Sequence, residues 1–423
     1  MYPNTCIAIL FAPPLVSGMT SGQLCRGTAS ESDDGNWYCS EVNTITYRNI
    51  SQSGSYNRTT SVDPDTGICG HRPVSYSGFG ALTPLFGELS MHLRGPMNVS
   101  QIAVYNFYAS ISGQHERILY ASDRRNAEAA AQAKLMLRRR EENRAVSSTT
   151  LQTRVAGSRT SDPSATPVVH AAAAEWGRVA YYTSTAPAEA TGLAFLANLG
   201  DPRLSGTFDY SFGNSLGYVS GTGGKCVSES TPFDGTLETS EFEIAVFTDK
   251  PCSGNCNYAR PDATAHRGWE GESKAFFIEF QMDHYDNYGT DQGMLSDAPA
   301  WWFLNADIPR ILQYGNDRNN IPCSCWSTGC GEFDAFEVLG RGEERAKSTI
   351  HRQGNLEGGD SNYFKRPVGR TLKFAVIFHN LNITASVLDD NFEFGRTLDQ
   401  DQIADIIAYE PKSNTHSLFG IGT

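Results

Sequence analysis

No run in this chain approaches the roughly 20 consecutive apolar residues that a membrane-spanning helix needs, so a helical membrane span is not expected. Positive charge is also scarce, because 34 Lys and Arg face 47 Asp and Glu, for a formal net charge of -13. A balance this acidic gives no electrostatic hold on nucleic acid or an anionic membrane, and a neutral polymer suits it better. Long amphipathic runs are few, whereas 40 Gly, 22 Phe and 18 Tyr suit strands joined by turns, since aromatic side chains fit a pleated, half-buried surface. The expected class is all-β.

At 423 residues the chain exceeds the usual single-domain size, so two domains are expected. CIAILFAPPLVSG, from Cys6, has the length of a signal-peptide apolar region but lacks a basic start and is interrupted by two prolines. Residues 1–24 therefore read as a degenerate or truncated signal segment. Residues 25–108 are rich in Ser, Gly and Tyr, and ELSMHLRG and QIAVYNFY alternate as strands do, which predicts a smaller N-terminal β domain. Residues 109–190 turn to Ala, Arg, Ser and Thr and read as a linker, in which Arg138-Arg139-Arg140 is a solvated charge cluster or a dibasic processing site. From 191 to 423 the strands return as FEIAVFTD, KAFFIEFQMD, AWWFLNADI, EFDAFEVLG, KSTIH and TLKFAVIFH, spaced by turns in the manner of a β-sandwich or jelly roll. One helix is expected near the C-terminus, with Thr397 and Gln400 as its capping box and Ile403, Ile406 and Ile407 on one face, packed outside the sandwich. The closing SLFGIGT is too short for a lipid-anchor signal, so a soluble or wall-associated protein is expected.

Ten cysteines fall into an N-terminal group, Cys6, Cys25, Cys39 and Cys69, and a later group, Cys226, Cys252, Cys256, Cys323, Cys325 and Cys330. Disulfides within each group are expected, with 15 connectivities open to the later six. Loss of Cys6 with a cleaved signal would leave one N-terminal cysteine free or cross-paired. Cys323, Cys325 and Cys330 lack a fourth ligand for a metal site, and neither a metal nor another cofactor is called for. Sequons at Asn49, Asn57, Asn98 and Asn382 agree with an oxidising secretory route and mark candidate glycosylation sites.

The chemistry concentrates in GCGEFDAFEVL, Gly329 to Leu339, where Glu332, Asp334 and Glu337 are set among Phe333, Ala335 and Phe336. On a strand Glu332 and Asp334 share a face, while Glu337 has the wrong parity. A β-bulge between Asp334 and Glu337 would return it to that face, with the two Glu Cα atoms about 13 Å apart. Carboxyls leaning together to about 5 to 5.5 Å suit retaining glycoside hydrolysis, and their mutual repulsion would raise at least one pKa into the range of a proton donor. The same spacing also suits an acidic strand edge or a calcium site. AWWFLNADIP and STIH flank the motif. Trp301 and Trp302 should point to opposite faces, one into the core and one towards a cleft where it could stack on a sugar, unless both are packing residues. Trp326 has the same two readings. His351 could hydrogen-bond a substrate hydroxyl or a catalytic carboxylate, or be structural. Asp283, His284 and Asp286 read as a turn.

The order of Trp-rich strand, E-x-D-x-x-E strand and T-I-H strand resembles glycoside hydrolase family sixteen, whose retaining β-glucanases use a concave jelly-roll face. GELSMHLRGPM, EIAVFTDKPCSGNC, LNADIPRILQYG, CSCWSTGCGEFDAFEVL and GGDSNYFKRP, in this order across both expected domains, more closely resemble fungal cell-wall proteins of the target-of-SBF type, which are taken for glucanases. The family-sixteen motif implies a nucleophile at Glu332, a helper at Asp334 and an acid/base at Glu337, beside which Trp301, Trp302, Trp326 and His351 stand as the candidate substrate-binding residues. The resemblances imply a secreted cell-wall endo-β-1,3-glucanase, with no cofactor, acting as a monomer on β-1,3-glucan or a related wall polysaccharide. The rivals are a wall transglycosylase and a non-catalytic glucan-binding or structural wall protein. The long Ala-rich linker, the poor signal region and the absent anchor tail depart from the family and bear on wall attachment.

Overall fold

The computed structural model describes residues 25, 28–32, 35–76, 84–108, 175–254, 256–285, 296–313, 323–352 and 358–421. Its main strands are β1 (Thr44–Arg48), β2 (Gly54–Val62), β3 (Cys69–Tyr76), β4 (Leu89–Arg94), β5 (Met97–Tyr108), β6 (Glu175–Thr183), β7 (Leu193–Ala197) and β8 (Glu243–Thr248). They continue as β9 (Lys274–Gln281), β10 (Ala300–Asn305), β11 (Glu332–Val338), β12 (Arg345–His351), β13 (Leu372–His379), β14 (Asn382–Val387) and β15 (His416–Gly420). The one described α-helix, α1, is Gln400–Ile407.

Two sheets form a β-sandwich, as expected for the all-β class. The first runs β7-β8-β4-β10-β11-β12 and the second β6-β5-β9-β13-β14-β1-β15, with only β1 and β15 parallel. Period-2 alternation sends Met91, Leu93, Phe303, Phe333 and Ile350 of the first sheet inward to meet Ile102, Val104, Phe276, Ile278, Phe374 and Val376 of the second. Phe276 and Phe303 meet across this core with ring centroids 4.6 Å apart. Each fully buried Phe stabilises the sandwich by about 1.5–3 kcal/mol through the surface it removes from water.

α1 packs Ile403, Ile406 and Ile407 on the outward face of the second sheet, against Tyr105, Ala275 and Phe277. Its capping box is Asp399 with Gln402 and not Thr397 with Gln400, because residues Thr397–Asp399 still pair with β6. The helix therefore starts later than propensity suggests.

An N-terminal domain ending at 108 is not what the sheets contain. β4 pairs with both β8 and β10, β5 with both β6 and β9, and β1 with both β14 and β15. Every residue of β4 is buried, a pattern that only an inner strand covered on both faces can satisfy. Of residues 25–108, only the β2–β3 hairpin and the Ser30–Glu31/Trp37–Tyr38 pair form small sheets of their own. The expected linker also ends early, since β6 lies within 109–190 and Glu189–Thr191 straddles its end, and Trp176, Ala180 and Tyr182 are buried. Residues 1–24 with Cys6, and 109–174 with Arg138-Arg139-Arg140, lie outside the described residues.

Four disulfides are present among the described residues, Cys25–Cys39, Cys252–Cys256, Cys325–Cys330 and Cys69–Cys323. The last crosses between the two groups, because one sandwich brings the hairpin against the loop before β11. Cys226 has no disulfide partner among the described residues, contrary to the expectation for it. No helix among the described residues is long and apolar enough to cross a membrane.

Candidate active site

β11 carries the expected bulge. Glu332 pairs with His351, Asp334 with Thr349 and Glu337 with Lys347, so three steps on β11 match two on β12 between Asp334 and Glu337. His351, Thr349 and Lys347 alternate on a regular strand and share one face, and their partners Glu332, Asp334 and Glu337 share it with them. Ala335 and Phe336 both enter the core instead. The chain reaches β11 through a 3-10 turn, Cys325–Thr328, bracketed by Cys325–Cys330. Gly329 and Gly331 then take φ of 95° and 105°, a region that disfavours any side chain with a Cβ. This turn places Trp326 beside the carboxylates.

The contacts are specific. Trp326 Nε1 donates to Glu332 Oε2. His351 Nε2 lies 2.8 Å from Asp334 Oδ2. Arg94 of β4 donates to Glu337 Oε1 at 3.3 Å and to the Ala298 carbonyl at 2.8 Å. Burial, and then the charge of Asp334, raise Glu332 to about 8 and Glu337 to about 7. His351 and the Trp326 N–H act against this rise at Glu332, as Arg94 does at Glu337. Burial alone would lower His351, but its hydrogen bond to Asp334 and the charges of Asp334, Glu332 and Glu337 outweigh that and hold it at about 9. The cluster thus holds protons near neutral pH and can give and take them.

Glu332, Asp334 and His351 offer ligand atoms within 4.8 Å of one another, enough to hold a cation. A metal would have to displace the proton that joins His351 to Asp334, and the raised pKa of the imidazole opposes that exchange.

Not every expected binding residue reaches this face. Trp301 is fully buried in the sandwich core. Trp302 points outward beside Asp334 but is only 4% exposed, because Tyr56, Val74 and Tyr76 of the β2–β3 hairpin pack with it in one cluster. It stacks on His92, with centroids 5.2 Å apart at 25°, and lies under Arg94, so its ring is not open to a sugar. Trp326 remains 47% exposed and the His351 side chain 40%. Arg94 and His92 escaped the sequence reading, although ELSMHLRG already sets Ser90, His92 and Arg94 on one side of a strand. Asp283 and His284 lie in an irregular segment after β9, and His284 bonds Asp297 and Glu344 at 2.7 Å each. Asp286 lies outside the described residues. Asn49, Asn57 and Asn98 are exposed, whereas Asn382 is part-buried and accepts from the Asn49 backbone N–H at 3.3 Å.

Two family models match, described as cell wall protein YJL171C/Tos1, C-terminal, over residues 174–406, and the N-terminal counterpart over 43–107. A Candida albicans protein named "Probable circularly permuted 1,3-beta-glucanase TOS1" is 31% identical over 460 residues, covering 92% of this chain and 95% of that protein. The chain belongs to the YJL171C/Tos1 cell wall protein family. An Arthroderma benhamiae member named "Probable circularly permuted 1,3-beta-glucanase" is 34% identical over 431 residues, covering 91% and 94%. A Saccharomyces cerevisiae member, also named TOS1, is 28% identical over 430 residues, covering 87% and 90%. No solved structure matches the chain.

Proposed function

We propose that this YJL171C/Tos1 member is a glycoside hydrolase that cleaves β-1,3-glucan in the fungal cell wall by a retaining double displacement. The bulge that returns Glu337 to the face of Glu332 carries the reading, and the names of the relatives supply the substrate class. In the first step Glu337 gives its proton to the glycosidic oxygen as the Glu332 carboxylate attacks the anomeric carbon, so the leaving sugar departs neutral and a glycosyl ester forms. Glu337, now ionised, then takes a proton from the water that cleaves the ester, and both carboxyls regain their first states. Asp334, 2.8 Å from His351, stands beside both and helps to raise their pKa values. Burial presses Glu332 at least as hard as Glu337, so this division of roles follows the resemblance to glycoside hydrolase family sixteen. A sugar hydroxyl in place of water would make the same site a transglycosylase.

Secretion fits four disulfides and exposed sequons at Asn49, Asn57 and Asn98. The function is tested by incubating the purified protein and its Glu332→Gln and Glu337→Gln variants with laminarin-type oligosaccharides. Cleavage or transfer by the wild type that both variants lose supports it. An inert wild type, or folded variants that cleave equally well, would overturn it. Whether attack is internal, as the endo expectation has it, turns on the floor either side of the carboxylates.

A further inference from the structure

Outward-facing residues of the first sheet differ sharply from strand to strand. On β10, Ala300, Trp302 and Leu304 are buried, and on β4 so are Ser90, His92 and Arg94. On β8 and β7, Ala245, Phe247 and Leu196 are buried in one cluster with Leu216 and Ala306, beside the partly buried Tyr218 that pairs with Leu196 in the same sheet. On β11 and β12 the same face opens in part, with Glu332, Glu337, Thr349 and His351 partly exposed but Asp334 and Lys347 buried, Lys347 donating to the Trp37 and Asp360 carbonyls. The open floor therefore begins at the carboxylates and extends only one way among the described residues.

The β2–β3 hairpin makes the boundary. Tyr56, Val74 and Tyr76 cover Trp302 and Leu304, and Arg58 donates to Asp307 at 2.7 Å from the far side of the same strand end. The Asn57 N–H donates to Thr328 Oγ1 at 2.9 Å, and Thr59 Oγ1 to the Cys323 carbonyl. Cys69–Cys323 locks the hairpin to the turn that carries Trp326. Ion pair, hydrogen bonds and disulfide together make this a fixed wall and not a loop laid over the face.

We propose that the hairpin is a stop that makes the glucan cleft one-sided, so that the enzyme works near the ends of β-1,3-glucan chains. The inference rests on the glucanase reading of the same site. Internal attack needs floor on both sides of the scissile bond, because the polymer continues in both directions. Here a sugar chain lies across β11 and β12, past Thr349 and His351, and meets Tyr56, Trp302 and the turn that carries Trp326 at the other side. The buried apolar cluster excludes the chain there by occupying the surface that sugar rings would cover.

The test compares viscosity loss with new reducing ends on a long soluble β-1,3-glucan, for the wild type and a Tyr56→Ala/Tyr76→Ala variant, with a separate endo-acting β-1,3-glucanase assayed alongside. The wild type should lose several-fold less viscosity per bond broken than the endo enzyme and release products of narrow size from the outset. The variant, shown to be folded by its melting curve, should move towards the endo pattern. Intact catalysis with viscosity loss equal to the endo enzyme overturns the stop while leaving the function standing. A wild type that breaks no bond overturns the function first, and the stop with it. Should that variant fail to fold, Val74→Ala provides the second comparison, and an unchanged product pattern in a folded Val74→Ala protein also counts against the stop.

Discussion

Asp334→Asn removes one negative charge from the cluster and keeps the side chain's shape, so an amide oxygen can still accept from His351. Ligand atoms of Glu332, Asp334 and His351 lie within 4.8 Å of one another. Two unit charges at that distance repel by about 3.5 kcal/mol in an effective dielectric of about 20, equal to about 2.5 pH units. That is a ceiling, since His351, 2.8 Å from Asp334, carries the opposite charge and cancels most of the field at the glutamates. A net movement of about 0.5–1 unit remains. Less repulsion makes each carboxylate easier to form, so both glutamates should titrate lower. The pH profile of kcat/KM on β-1,3-glucan oligosaccharides reports these groups as macroscopic limbs of the free enzyme. Both limbs should move to lower pH. Limbs that stay in place or move up would refute the electrostatic account, since Asp334 would then not be pressing on its neighbours.

Glu332 and Glu337 have folded pKa values above the usual value for Glu, about 8 and about 7, so each costs stability increasingly as pH rises from about 4 through its folded value. Glu332→Gln and Glu337→Gln should therefore melt above the wild type at alkaline pH and with it below about pH 4, while activity falls by about 10²–10⁴-fold. Equal melting temperatures at all pH would contradict the burial. His351 has the opposite dependence, stabilising fully below about 6.5 and losing that contribution as pH rises through its folded value of about 9; His351→Gln should thus destabilise most below neutrality, as thermal melts across pH would show. Removing Cys69–Cys323 by the double Cys→Ser variant opens a link spanning 254 residues, for which chain entropy predicts a loss of about 5.5 kcal/mol; an unchanged denaturant midpoint would count against it. Phe303→Ala, in the core against Phe276, should cost about 3–5 kcal/mol by the same measurement.

The bulge was legible because it is a parity argument. Apolar Phe333, Ala335 and Phe336 and acidic Glu332, Asp334 and Glu337 cannot all be satisfied on a regular strand, and one extra residue resolves the conflict. The sandwich was legible for the same reason, as strands with alternating residues have one face to hide. The placing of strands was not. ELSMHLRG says that a strand exists, but nothing in its residues says that its neighbours are Glu243–Thr248 and Ala300–Asn305, and composition drew a boundary at 108 that the sheets ignore. β6 was hidden in the same way, its Trp176, Ala180 and Tyr182 lying next to an Ala-rich tract. Trp302 shows the limit at the site. Its direction could be read from alternation, whereas its cover comes from a hairpin more than 200 residues earlier, joined to the loop before β11 by a disulfide that grouping by position separates.

The central claim, that Glu332 and Glu337 act from one face through a glycosyl ester, is tested most directly by following the anomeric proton of newly cleaved β-1,3-glucan oligosaccharide by NMR before mutarotation. The β-anomer should appear first with the wild type and not at all with Glu332→Gln. Initial release of the α-anomer would contradict the retaining mechanism, and unchanged β-anomer release by Glu332→Gln would contradict the site.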